Sequence, residues 1–231
     1  TWVDIATEEP NDGAYTWTIP VEANKQVLIR VQEADGYPAD TTDACLEMEA
    51  TFYVNSNATG NNNGLSWTDA FTSLQDALGA ASSGREIWVA QGTYYPDEGA
   101  GIPDNYRDTS FVIPEGVKVY GGFDGTETSL SERDPEKNPT FLSGDIDQND
   151  GEKPDNGNAH QVVSVHSIPE THTAVLDGFT ITRGYTDNTA GSNKGGGIRS
   201  IDSYIRVSNC IITNNYSTDK GGGIYNHNAH A

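Results

Sequence analysis

The chain has 231 residues, 35% of them apolar, and carries 34 acidic against 13 basic side chains, for a formal net charge of −21. That balance excludes an electrostatic nucleic-acid binder, which must neutralise phosphates with lysine and arginine, and a protein that docks on anionic lipid. It favours a soluble surface that attracts divalent cations. No apolar run approaches the ~20 residues of a membrane span, so no membrane insertion is expected, and no basic-then-apolar leader opens the sequence. Abundant glycine and asparagine with scarce lysine suit turn-rich β-structure.

Residues 15–50 contain three strand-like segments. Tyr15, Trp17 and Ile19 alternate with threonine, Val27–Val31 forms a second run and Ala44–Met48 a third, with Asp/Gly/Pro-rich turns between the later two. This is the pattern of the later part of an antiparallel sandwich. The stretches "TWTIP" and "IRVQEADGYPADTTDA" resemble the second half of immunoglobulin-like or fibronectin-like modules of secreted bacterial proteins. The resemblance implies a partial sandwich over residues 1–51. Thr1 opens within strand-like sequence, so the expectation is an internal or processed piece whose earlier strands belong to a longer chain or to a partner. Cys45 and Cys210 lie far apart and read as small buried hydrophobes.

The next domain, residues 52–231, begins with a helix expected at about 66–83. Trp67, Phe71, Leu74, Ala77, Leu78 and Ala81 recur at three and four, Ser66 is the expected N-cap with Asp69 three residues on, and Gly84 the stop. Everything after it reads as strand and turn: Glu86–Ala90, Ser110–Ile113, Gly116–Phe123, Thr140–Gly144, Gln161–Val165, Ala174–Gly184 and Tyr204–Asn215. The last two align: "DGFTITRGYTDN" at 177–188 matches "SNCIITNNYSTD" at 208–219, and each leads into "KGGGI", at Lys194–Ile198 and Lys220–Ile224. The insertion Thr189–Asn193 accounts for the unequal spacing. A repeat of two to three dozen residues that tolerates a loop is the mark of a stacked coil. Phe179, Ile181, Cys210 and Ile212 then point inward, and Asn214 and Asn215 turn a corner.

"GGGI" with "IITNN" resembles the right-handed parallel β-helix family of pectate-lyase-like architecture, above all its surface proteins with GG-aliphatic repeats. "EIWVAQGTYYP" after a helix is similar to the start of many secreted members. The expected fold is therefore all-β: a right-handed parallel β-helix with a helical cap, preceded by the partial sandwich.

A phosphate cradle is set aside for the glycines Gly195, Gly196, Gly197, Gly221, Gly222 and Gly223, because each triplet leads into strand and not into a helix N-terminus. They are read as coil corners that stack in register, so that Gly222→Val would destabilise the coil. Family members that hydrolyse polygalacturonate carry an adjacent aspartate pair and Gly-His-Gly; neither string occurs here. The lyases resembled use calcium with a basic residue. Arg183, Arg199 and Arg206 are available but have no acidic cluster on their own repeats, and read as solvated. His160, His166 and His172 are too scattered for a local zinc motif, and His227 and His230 lack a nearby partner.

One stretch concentrates ligands. In "SGDIDQNDGEKPDNGNAH", residues 143–160, Asp145, Asp147, Asn149 and Asp150 precede Gly151, a partial match to a calcium loop with the glycine one position late and Asn156 in place of a final glutamate. Calcium is the cofactor this loop suggests. The functional expectation is a non-catalytic secreted or cell-surface structural or adhesive module, its partners further copies of itself in a fibre or a surface polysaccharide. The alternative is a carbohydrate lyase or hydrolase whose active residues lie outside this segment. Sequons occur at Asn57 and Asn215.

Overall fold

The computed structural model describes residues 51–151, 153–187 and 194–229, together with four short backbone segments nearer the N-terminus. The chain divides into two compact units, Thr1–Ala50 and Thr51–Ala231. In the first, β1 (Gln26–Val27) pairs antiparallel with β4 (Leu46–Glu47), and β2 (Arg30–Gln32) with β3 (Ala39–Thr41). The expected strand Tyr15–Ile19 and Cys45 lie outside the described residues, as do the insertion Thr189–Asn193 and His230.

The second unit opens with β5 (Phe52–Val54) and one helix, α1 (Leu74–Ala80). Then follow β6 (Glu86–Ala90), β7 (Gly92–Tyr94), β8 (Phe111–Val112), β9 (Lys118–Phe123), β10 (Thr140–Ser143), β11 (Val163–His166), β12 (Ala174–Asp177), β13 (Phe179–Thr182), β14 (Tyr185–Thr186), β15 (Ile198–Ile201), β16 (Ile205–Ser208), β17 (Ile211–Thr213), β18 (Tyr216–Ser217) and β19 (Ile224–His227). Three parallel sheets form, in the orders β5-β6-β9-β12-β16, β7-β10-β13-β17 and β8-β11-β15-β19, with β14 and β18 as a short parallel pair at a corner. From β6 onward the chain visits the three sheets in the same cyclic order four times. This is a β-helix-like fold, in which a strand's sheet partner is the strand one circuit earlier or later.

Identical registers carry the core from circuit to circuit. Phe52, Ile87, Val119, Leu176 and Val207 form one inward column, Tyr94, Leu142, Ile181 and Ile212 a second, and Phe111, Val163, Ile198 and Ile224 a third. No circuit could bury such a column alone; stacking closes it, at about 1.5–3 kcal/mol for each large aliphatic side chain removed from water. Sharp corners permit the turns between sheets. The run expected as one strand over Ala174–Gly184 is two, broken at Gly178 with φ +85°, and Tyr204–Asn215 breaks likewise at Asn209 with φ +51°. Glycine and asparagine tolerate that left-handed backbone best.

The helix is shorter than the expected 66–83, and its N-cap is Ser73, whose hydroxyl accepts from the amides of Gln75 and Asp76. Ser66 and Asp69 do bond as a cap would, Asp69 N to Ser66 Oγ at 3.1 Å. The helix cannot continue from there because Phe71 is held as a strand residue: its amide donates to Tyr53 O and its carbonyl accepts from Asn55 N, both at 2.9 Å. Its C-cap is Ala81, so Gly84 lies beyond it. Leu74, Ala77 and Leu78 are the buried face. Trp67 leaves the helical stripe, packing with Tyr53 and Phe123 and donating its indole N–H to Glu127 O at 2.9 Å.

Candidate functional site

The acidic stretch 144–160 links β10 to β11 as a loop pinched at its base. Gly144 O accepts from both Ile146 N (2.8 Å) and Ala159 N (2.7 Å), and buried Ile146 and Ala159 anchor the two ends in the core. Gly144 N donates to Thr182 O, so the base sits directly on the next circuit. Within the loop the four sequence-derived candidates divide. Asp145 Oδ1 is engaged by the amides of Asn149 (3.0 Å) and Asp150 (3.4 Å), a turn for which Gln148 adopts φ +52°. Asn149 gives its side-chain amide to Asp147 Oδ2 at 2.8 Å. Asp150, with a fully buried side chain, accepts Asn158 Nδ2 at 2.6 Å and lies 3.6 Å from Arg183 Nη1, both at Oδ2. Among the described residues, no three carboxylate, imidazole or thiol side chains converge closely enough to hold a metal ion.

Two carboxyls in this loop are held above their ordinary range. Burial raises Asp147, reinforced by the charges of Asp155 and Asp145; burial also raises Asp150, outweighing the bond from Asn158 and the Arg183 charge. Three oxygens here are buried with no hydrogen-bond partner: Asp147 Oδ1, Asp150 Oδ1 and Asn158 Oδ1.

Residues that the motif search passed over hold the loop down. Asn158 Nδ2 also donates to Arg183 O (2.6 Å), and Asn158 O accepts Arg107 Nε (2.7 Å). Arg107 reaches Tyr185 O at 3.1 Å and Asp187 at 3.5 Å, while His160 lies between Asp108 (3.0 Å) and Asp187 (3.8 Å). Arg183 is therefore no freely solvated arginine, and His160 is not isolated. Only the presence of Asn158 and His160 at the end of the acidic run could have flagged them; their partners are remote in sequence.

The glycine triplets lie one above the other. Gly195 N donates to Lys220 O, Gly196 N to Gly221 O, Gly197 N to Gly222 O and Ile198 N to Gly223 O, at 2.8–3.2 Å. Gly195 and Gly221 have φ of +74° and +63°. Asn214 turns the corner with φ +51°, and Asn215 bridges circuits: Oδ1 accepts Gly184 N (2.8 Å), and Nδ2 donates to Ile181 O (2.9 Å) and Thr213 O (3.0 Å). A hollow of about 590 Å³, open to solvent, sets Glu115 and Asp202 beside Tyr204. No helix among the described residues is long and apolar enough to cross a membrane.

Neither the curated proteins nor the solved structures contain a match to the chain. A family model described as "Protein of unknown function (DUF1565)" matches residues 56–231, and the chain belongs to that family.

Proposed function

We propose that the chain is a non-catalytic structural or adhesive module of a secreted or cell-surface protein. Residues 52–231 are a right-handed parallel β-helix whose first coil is capped by α1, and residues 1–51 are part of an immunoglobulin-like sandwich. The family's frequent link to parallel β-helix proteins supports the fold reading. What carries the functional reading is how the interior charges are used. Arg133 donates to Gly121 O (2.9 Å) and Asp177 O (3.3 Å) and pairs with the Asp177 carboxylate, which Ser208 and Asn209 also engage. Arg107 likewise satisfies backbone carbonyls of the next two circuits, at Asn158 and Tyr185, and Asn215 one of the preceding circuit, at Ile181. These charged and amide groups thus serve as staples between circuits, a structural use of the polar residues named.

The partner in this reading is a second copy of the chain or a surface polysaccharide. The second is supported by the hollow at Glu115, Asp202 and Tyr204, which is open to solvent. The test is incubation with a panel of acidic and neutral polysaccharides, with light scattering on the same samples. Retention on a polysaccharide or concentration-dependent self-association without chain cleavage is expected. Release of new reducing or unsaturated ends would overturn the reading in favour of a lyase or hydrolase.

A further inference from the structure

The three unpartnered oxygens in the loop between β10 and β11 have one chemical feature in common: all are acceptors. Asp147 Oδ1 and Asp150 Oδ1 are carboxylate oxygens and Asn158 Oδ1 is an amide carbonyl. The Asn158 assignment is fixed by its surroundings. Its Nδ2 donates to two acceptors, Asp150 Oδ2 and Arg183 O, so a flipped amide would set oxygen against oxygen at both contacts. The residue is wholly buried, and the hydrogen bond from its Nδ2 holds it against Asp150. Asp147 Oδ2 lies against Gly157, the residue before Asn158, where a Cβ would overlap it.

Beside them one donor, Arg183 Nη1, is likewise buried without a hydrogen-bond partner, so the loop holds three free acceptors against a single free donor. One water has two protons to give, one protonated carboxyl has a single proton and Arg183 Nη1 lies 3.6 Å from the other oxygen of Asp150, so none of these alone satisfies all three. A hard divalent cation satisfies all at once. Calcium accepts carboxylate and amide oxygens together, in flexible geometry with six to eight ligands, the remainder taken from backbone carbonyls or water. Magnesium, which demands near-ideal octahedral geometry, fits a mixed set on an irregular loop less well. Arg183 lies on the Oδ2 side of Asp150 and leaves Oδ1 free, so guanidinium and cation divide that carboxylate between them.

We propose that this loop binds one calcium ion through Asp147 Oδ1, Asp150 Oδ1 and Asn158 Oδ1. Asp145 and Asn149 have supporting parts: Asp145 forms the turn that presents Asp150, and Asn149 orients Asp147 through its other oxygen. The ion pins the loop to the circuit carrying Arg183, since Asn158 bonds the Arg183 carbonyl directly. It also relieves the crowding of Asp145, Asp147, Asp150 and Asp155, whose mutual repulsion an ion-free loop must bear. The inference rests on these oxygens alone and holds whether or not the module is adhesive.

The test is calorimetric titration of the chelator-stripped whole chain with CaCl₂, paired with a thermal scan. One saturable site per chain and a rise in melting temperature are expected. Asp147→Asn, nearly isosteric, and Asn158→Ala should each weaken binding at least about tenfold, because each removes one of very few protein ligands. Glu136→Gln, an exposed carboxylate outside the loop, should bind as the parent does. Absence of a saturable site up to about 10 mM, tenfold above the weakest dissociation constants of extracellular calcium modules, overturns the proposal. So does a site whose affinity is unchanged in Asp147→Asn, which would mark diffuse attraction to a surface of net charge −21.

Discussion

The two Lys-Gly-Gly-Gly-Ile segments have one sequence and closely similar backbones, yet different surroundings. Ile198 is 1% exposed and Ile224 43%. A Cβ on Gly196 would overlap Tyr216 O and press Gly222 O at 3.0 Å, and one on Gly197 would come within 2.5 Å of Gly223 O. One circuit later the same positions are roomier: a Cβ on Gly222 meets Asn215 O at 3.0 Å, and one on Gly223 meets only Ile212 Cγ2, at 3.4 Å. Burial and the demand for glycine therefore belong to the neighbouring circuit and not to the motif. The first glycine of each triplet is the exception, because its left-handed turn is set within its own segment.

Substitutions should separate these contributions. Among the glycine and asparagine positions the largest effect is expected for Gly196→Ala, destabilising by about 3 kcal/mol in urea unfolding, because a Cβ there overlaps the backbone carbonyl of Tyr216. Asn215→Ala should cost about 1–3 kcal/mol by leaving Gly184 N and Ile181 O unpaired. The pH dependence of the inter-circuit staple comes next. Burial works to raise the Asp177 carboxyl, but bonds from Ser208, Arg133 and Asn209 prevail and hold it below its ordinary 3.8. A carboxyl lowered on folding contributes stability that is complete above the unfolded value and is lost as pH falls through the folded one. The loss should appear in unfolding midpoints below about pH 4, and Asp177→Asn should flatten it. The smallest effect is expected for Gly223→Ala, within about 0.5 kcal/mol of the parent. Gly222→Val, expected from sequence to destabilise the coil, should stand between the extremes, since its Cβ meets Asn215 O at 3.0 Å, tighter than an ordinary contact but short of the overlap at Gly196.

How much of this was legible follows from sequence distance. The repeat was readable because stacking needs the same residue types at the same place in each circuit, and Phe179, Ile181 and the glycines display that. The bounds of α1 were not, because Phe71 satisfies the helical spacing while its backbone is claimed by Tyr53 and Asn55. Nor were the corners at Gly178 and Asn209, since the apolar runs on either side of each form one continuous pattern. The acidic loop announced itself through Asp145, Asp147 and Asp150, but the groups that fasten it did not. Arg107 meets Asn158 across 51 positions and Tyr185 across 78, and Arg133 meets Asp177 across 44. A coil brings such residues together only once its circumference is known, and the unequal insertions hide it.

The claim that each circuit is stabilised by the one stacked on it is tested most directly by comparing Ile198→Ala with Ile224→Ala in urea unfolding. The two positions are register partners in adjacent strands and differ in what covers them. Ile198→Ala is predicted to cost about 2–5 kcal/mol, as for a fully buried aliphatic, and Ile224→Ala less than half as much. Equal losses at the two positions would contradict the account.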